Sequence, residues 1–145
     1  MTGTLSPINL AQHGREFLDA ARRERAAAGR HISLPAYFLA GRAIELALKA
    51  FLVLKGQPVP HLRKLSHDLG AIVEDAQSQG LETVFTPSPE QIGAIQLLNP
   101  YYQSKDLEYP TTGFKSYPDF QWLESFAQGL IDSMAKPLRA WSPPQ

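Results

Sequence analysis

The 145-residue sequence contains no cysteine. That absence excludes disulfides, thiol nucleophiles and cysteine-based zinc sites, and it suits an intracellular chain. Net charge is also missing, because fourteen Lys and Arg balance fourteen Asp and Glu. A zero balance gives little long-range attraction for nucleic-acid phosphates. The four histidines, at 13, 31, 61 and 67, form no His-x-x-x-His pair and meet no carboxylate cluster of matching spacing, so no metal is expected. There is no glycine-rich phosphate loop, no serine hydrolase elbow and no kinase signature, and no cofactor is expected. Alternating runs of strand length and internal repeats are both absent. The N-terminus has no basic region followed by an apolar run, and no segment reads as a bilayer span. The expectation is a cytoplasmic protein with no membrane partner.

What is present is dominated by residues 36–56, AYFLAGRAIELALKAFLVLKG. At helical spacing this stretch is apolar nearly all round, except for a narrow stripe of Arg42, Glu45 and Lys49. Three charges near the middle of a membrane span would each cost ~2.5–3.5 kcal/mol, so the stretch reads as the central helix of a bundle. Glu45 precedes Lys49 by four residues and Arg42 lies one turn before it, which predicts a paired polar stripe at the bundle edge.

The rest of the chain supplies the partners of that helix. Ser6-Pro7 opens a first helix over about 7–27, with Leu10, Phe17, Leu18 and Ala21 on one side and the basic run 22–25 outside. That run reads as a solvated face, with a phosphate patch as the alternative. The central helix covers about 34–55 and stops at Gly56. Residues 57–65, with Pro58 and Pro60, read as an extended linker. Ser66 is expected to cap a third helix carrying Leu69, Ile72, Val73 and Ala76, with Asp68 in its first turn. Ser88-Pro89-Glu90-Gln91 is a capping box for a fourth helix, which meets Pro100. A last helix is expected from near Pro118, with Ser116 as a cap, carrying Leu123, Phe126, Leu130 and Met134. The fold class is therefore all-α, an up-and-down bundle of about five helices in a single domain over residues 1–145, with a core of about 7–135 and a loose tail over 137–145.

Charge is distributed unevenly. Residues 1–64 hold ten of the Lys and Arg and four of the Asp and Glu, a balance of +6 that residues 65–145 reverse. Such asymmetry fits a solvated surface, and also head-to-tail association or an RNA-facing side. His61, Arg63, His67 and Asp68 gather around a helix start. A neutral His beside an Arg can deprotonate an RNA 2′-hydroxyl while the Arg stabilises phosphorane charge. The competing reading is that Ser66, His67 and Asp68 are simply a capped first turn.

Several segments resemble the HEPN superfamily, the higher eukaryotes and prokaryotes nucleotide-binding domain. They are Glu45-Leu46-Ala47-Leu48-Lys49, the stop at Gly56, Ser66-His67-Asp68-Leu69, and Leu98-Asn99-Pro100-Tyr101-Tyr102 leading to Glu108-Tyr109-Pro110. The resemblance covers roughly residues 7–135. It implies a bundle of four long helices and a shorter one, usually paired as a dimer. It also implies either a metal-independent endoribonuclease of toxin–antitoxin or defence systems, or an inactive partner of nucleotidyltransferases and other proteins. Ribonuclease members carry an Arg and a His, four to six residues between them, on a late helix. This chain departs from that pattern, since no His follows His67 and the only spacing match is Arg25 to His31.

Three functional readings follow. The first is a non-catalytic binding domain, homodimeric and working with a nucleotidyltransferase or other partner. The second is a ribonuclease using His67 with Arg63. The third is a nucleotide- or small-ligand-binding bundle in which Asn99, Tyr102, Lys105 and Tyr109 line a polar pocket. Ile92, Ile95, Leu97 and Leu98 spread over more than one helix face, and Tyr101, Tyr102, Tyr109, Phe114 and Tyr117 follow closely. That surplus predicts a dimer centred on this helix and on 100–117, weakened by Leu98→Asp.

Overall fold

The computed structural model describes residues 5–108, 113 and 115–144. Among them the fold is all-α. The order is α1 (Pro7–Ala28), α2 (Leu34–Leu54), α3 (Val59–Leu65), α4 (Leu69–Ser78), a single 3-10 turn (Leu81–Thr83), α5 (Pro89–Gln103), α6 (Phe120–Ser133) and α7 (Ala135–Ala140).

The α2 helix is central because its sequence offers no wide polar face. It packs on α1, α4, α5 and α6. Its small residues Ala36, Ala40, Ala43, Ala47 and Ala50 are all fully buried, which lets α1 come close. A Cβ at Gly14 of α1 would lie 3.3 Å from the Ala43 carbonyl oxygen, so the two backbones are nearly in contact there. Ile44, Leu48, Phe51 and Leu52 fill the other side against Ile72, Ile95, Leu98, Leu123 and Phe126. Each such side chain contributes about 1.5–3 kcal/mol on leaving water.

Caps explain most boundaries. The Ser6 and Ser33 hydroxyls accept from Asn9 N–H and Ala36 N–H, and Ser88 and Gln91 bond each other's backbone as the capping box requires. Pro100 lies inside α5, which runs on to Gln103.

Four expectations need correction. Residues 57–65 are not an extended linker, since Pro58 is the N-cap of α3 and Pro60 sits in its first turn, where a missing N–H costs nothing. Ser66 does not cap the next helix. It ends α3 at φ +52, and the Asp68 carboxylate caps α4 by accepting from Ala71 N–H at 3.1 Å. The cap of α6 is Asp119 rather than Ser116. The tail is not loose throughout, because Ala135–Ala140 form α7, with Leu138 packed on the core.

Candidate functional site

The paired stripe on α2 runs inward from the bundle edge to a buried carboxylate. Glu45 is 1 % exposed, and four donors converge on its carboxylate. Lys49 Nζ donates to Oε2 at 2.8 Å, and Arg42 donates to the same oxygen at 3.2 Å. The Tyr102 hydroxyl donates to Oε1 at 2.7 Å. His67 Nδ1 is 3.0 Å from both oxygens. Two of these donors come from α2 itself, one from the α3–α4 junction and one from α5.

Local structure brings each donor in. Arg42 and Lys49 are one turn away from Glu45 on either side. His67 is delivered by the tight reversal at Ser66, whose carbonyl accepts a second bond from Lys49 Nζ at 2.8 Å. Tyr102 reaches α2 because residue 41 is glycine. A Cβ there would lie 2.6 Å from a Tyr102 ring carbon, inside van der Waals contact. Asn99, one turn before Tyr102, ties α5 to the start of α4, accepting from Leu69 N–H and donating to Asp68 Oδ1, both at 2.8 Å.

The electrostatics follow from this ring of donors. Burial alone pushes the Glu45 carboxyl up, but the bonds from Lys49, Tyr102 and His67, with the Lys49 charge, outweigh it and hold the group below its ordinary value. Burial, with the Glu45 charge second, pushes the Tyr102 hydroxyl far above its ordinary value, so it stays a donor. Against an ionised carboxylate the contacting ring nitrogen must carry hydrogen, which assigns that proton to His67 Nδ1 and leaves Nε2 uncommitted. The His67 side chain is 54 % exposed.

Beside the cluster is a cavity of about 240 Å³ lined by Phe38, Arg42, His67, Tyr102, Gln103, Lys105 and Glu108. The expected pocket residues divide here. Tyr102 and Lys105 line it, Asn99 instead braces Asp68, and Tyr109 lies outside the described residues. The expected gathering of His61, Arg63, His67 and Asp68 does not form. His61 bonds Asp75 at 2.8 Å, Asp68 caps α4, and Arg63 lies exposed on α3 without a bond to His67. In the basic run, Arg22 is held by Glu124 and Gln128 of α6 and Arg25 by the Gly29 carbonyl.

The contacts that sequence reasoning missed are those of His67 and Tyr102 with Glu45. They span 22 and 57 positions, beyond any helical spacing signal. No group of three or more His, Asp or Glu side chains among the described residues is arranged to hold a metal ion. No helix among them is long and apolar enough to cross a membrane.

Fold and cluster together define an all-α bundle whose central helix carries a buried, four-donor carboxylate. The sequence matches the HEPN domain family over residues 9–135, nearly its whole length, and the chain belongs to that family. No curated protein and no solved structure matches it.

Proposed function

We propose that this HEPN domain is a non-catalytic binding domain that pairs with a second copy through α5 and, as a dimer, works alongside a nucleotidyltransferase or another toxin–antitoxin or defence partner. The observation that carries the pairing is the outer face of α5. Gly93, Gln96, Leu97, Pro100, Gln103 and Ser104 are exposed, and no charged residue occurs from Gln91 to Ser104. Leu97 is 43 % exposed, a large apolar side chain on a face without charge. Depletion of charge at the centre of a patch is the compositional mark of an interface. A symmetric pair would cover this face with itself.

Two parts of the earlier expectation change. Leu98 is 0 % exposed and belongs to the core, so Leu98→Asp would unfold the bundle rather than test an interface. The aromatics are also largely spoken for within the chain. Tyr101 and Tyr117 pack with ring centroids 4.8 Å apart, Tyr37 and Tyr117 stack at 5.4 Å, and Tyr102 is buried. Phe114 and Tyr109 lie outside the described residues. Leu97→Asp is the sharper test. Light scattering across a dilution series should give twice the chain mass for the native protein, with Leu97→Asp raising the dissociation constant at least about tenfold, or about 1.4 kcal/mol. A monomeric mass at every micromolar concentration would sink the pairing.

The absence of a late-helix Arg and His supports the non-catalytic part. A ribonuclease reading is favoured by one observation, the carboxylate holding His67 Nδ1, which leaves Nε2 for proton transfer. Arg42, rather than Arg63, would then be the neighbouring cation. Metal-free incubation with single-stranded RNA and transfer RNA should leave both intact. Cleavage abolished by His67→Ala would replace the binding reading with the catalytic one.

A further inference from the structure

We infer that the cavity beside Glu45 is a binding site for a small phosphomonoester, its phosphate held between Arg42, His67 and Lys105 and its organic part against Phe38. This does not rest on the α5 pairing, since either can fail while the other stands.

The charge balance at the cavity favours an anion. Glu45 is already neutralised by Lys49 at 2.8 Å. Arg42 spends one nitrogen on Glu45 and has others left for a ligand. As an imidazolium, with Nδ1–H on Glu45, His67 offers Nε2–H as a donor to an oxyanion, and Lys105 has no side-chain bond among the described residues. Among the described residues Glu108 is the only lining carboxylate, so the fixed charges of Arg42 and Lys105 exceed it. A guanidinium, an imidazolium and an ammonium from three different segments suit a tetrahedral oxyanion better than a planar carboxylate. The volume of about 240 Å³ exceeds what one phosphate group fills, and Phe38 gives the remainder an apolar wall.

The backbone at Lys105 is an independent observation. The C-terminus of α5 closes as a Schellman turn, with Asp106 N–H donating to Tyr101 O at 3.0 Å and Lys105 N–H to Tyr102 O at 3.3 Å. The residue at the left-handed position of that turn is usually glycine. Here it is Lys105, at φ +65. A lysine kept where glycine would be free of strain, with its side chain lining a cavity, points to work for the ammonium.

This same strain supplies a clean test, because Lys105→Gly removes the ammonium while relaxing the backbone. Calorimetric titration with phenyl phosphate and with inorganic phosphate, at constant ionic strength against sodium chloride and sodium acetate, reads the binding. Both phosphates should bind saturably, phenyl phosphate the more tightly, and neither control salt should compete. Lys105→Gly should melt at the same or a higher temperature yet weaken phenyl phosphate at least about tenfold, the loss of one charge-assisted bond. Glu108→Gln should bind as well or better. The proposal is overturned if acetate or chloride competes equally, if inorganic phosphate binds as tightly as phenyl phosphate, if Lys105→Gly binds normally, or if Glu108→Gln weakens binding.

Discussion

Glu45 shows how a single side chain can be read fully in its local pairing and only in part in its setting. Its spacing to Arg42 and Lys49 was legible as an ion-paired stripe, because both partners lie within one turn. Its burial was not, because the covering groups, His67 and Tyr102, arrive from 22 and 57 positions away. The consequence for stability is large. Glu45→Leu leaves two cations partly desolvated and unpaired, and thermal melts should show a loss of about 3–5 kcal/mol. The pH dependence has a definite sign. Because the folded carboxyl is more acidic than in the unfolded chain, Glu45 contributes its stability above the unfolded value of about 4.3. That contribution is lost as pH falls through the lower folded value. Melting temperatures measured from about pH 7 down to about pH 3 should therefore fall less steeply in Glu45→Gln than in the native protein.

At the level of elements, long helices were easy to see and short ones were not. The central helix has enough apolar periodicity to outweigh any single residue, and the Ser88–Gln91 capping box is a local signal that the structure reproduces. Residues 57–65 were misread because two prolines mark either a broken chain or a helix start, and the difference depends on what Leu62 buries against. Asp68, expected only in the first turn, is the cap in place of Ser66, and Asn99 of α5 fixes its carboxylate through a contact that no local signal announces. Two substitutions separate their roles. Asp68→Ala should cost about 1–2 kcal/mol in chemical denaturation, since a cap and its brace are lost together. Ser66→Gly should be neutral or stabilising, because a positive φ suits glycine. Gly41→Ala should cost about 1–3 kcal/mol by pushing Tyr102 off Glu45. Circular dichroism should show its helical content unchanged.

For the molecule as a whole, the sequence conveyed the all-α class and the family, while the cavity was visible only in part. Tyr102 and Lys105 could be named as pocket residues, but Arg42 and His67 join them only through α2 and the α3–α4 reversal meeting α5. The shared carboxylate also bears on how this protein can change over time. Four donors answer to one acceptor, so the fitness of a residue at 49, 67 or 102 depends on what stands at 45. Lys49→Met combined with Glu45→Leu should be less harmful than the two single losses added together, a coupling that a double-mutant cycle measures. Viable lineages should then replace these positions as a set rather than one at a time.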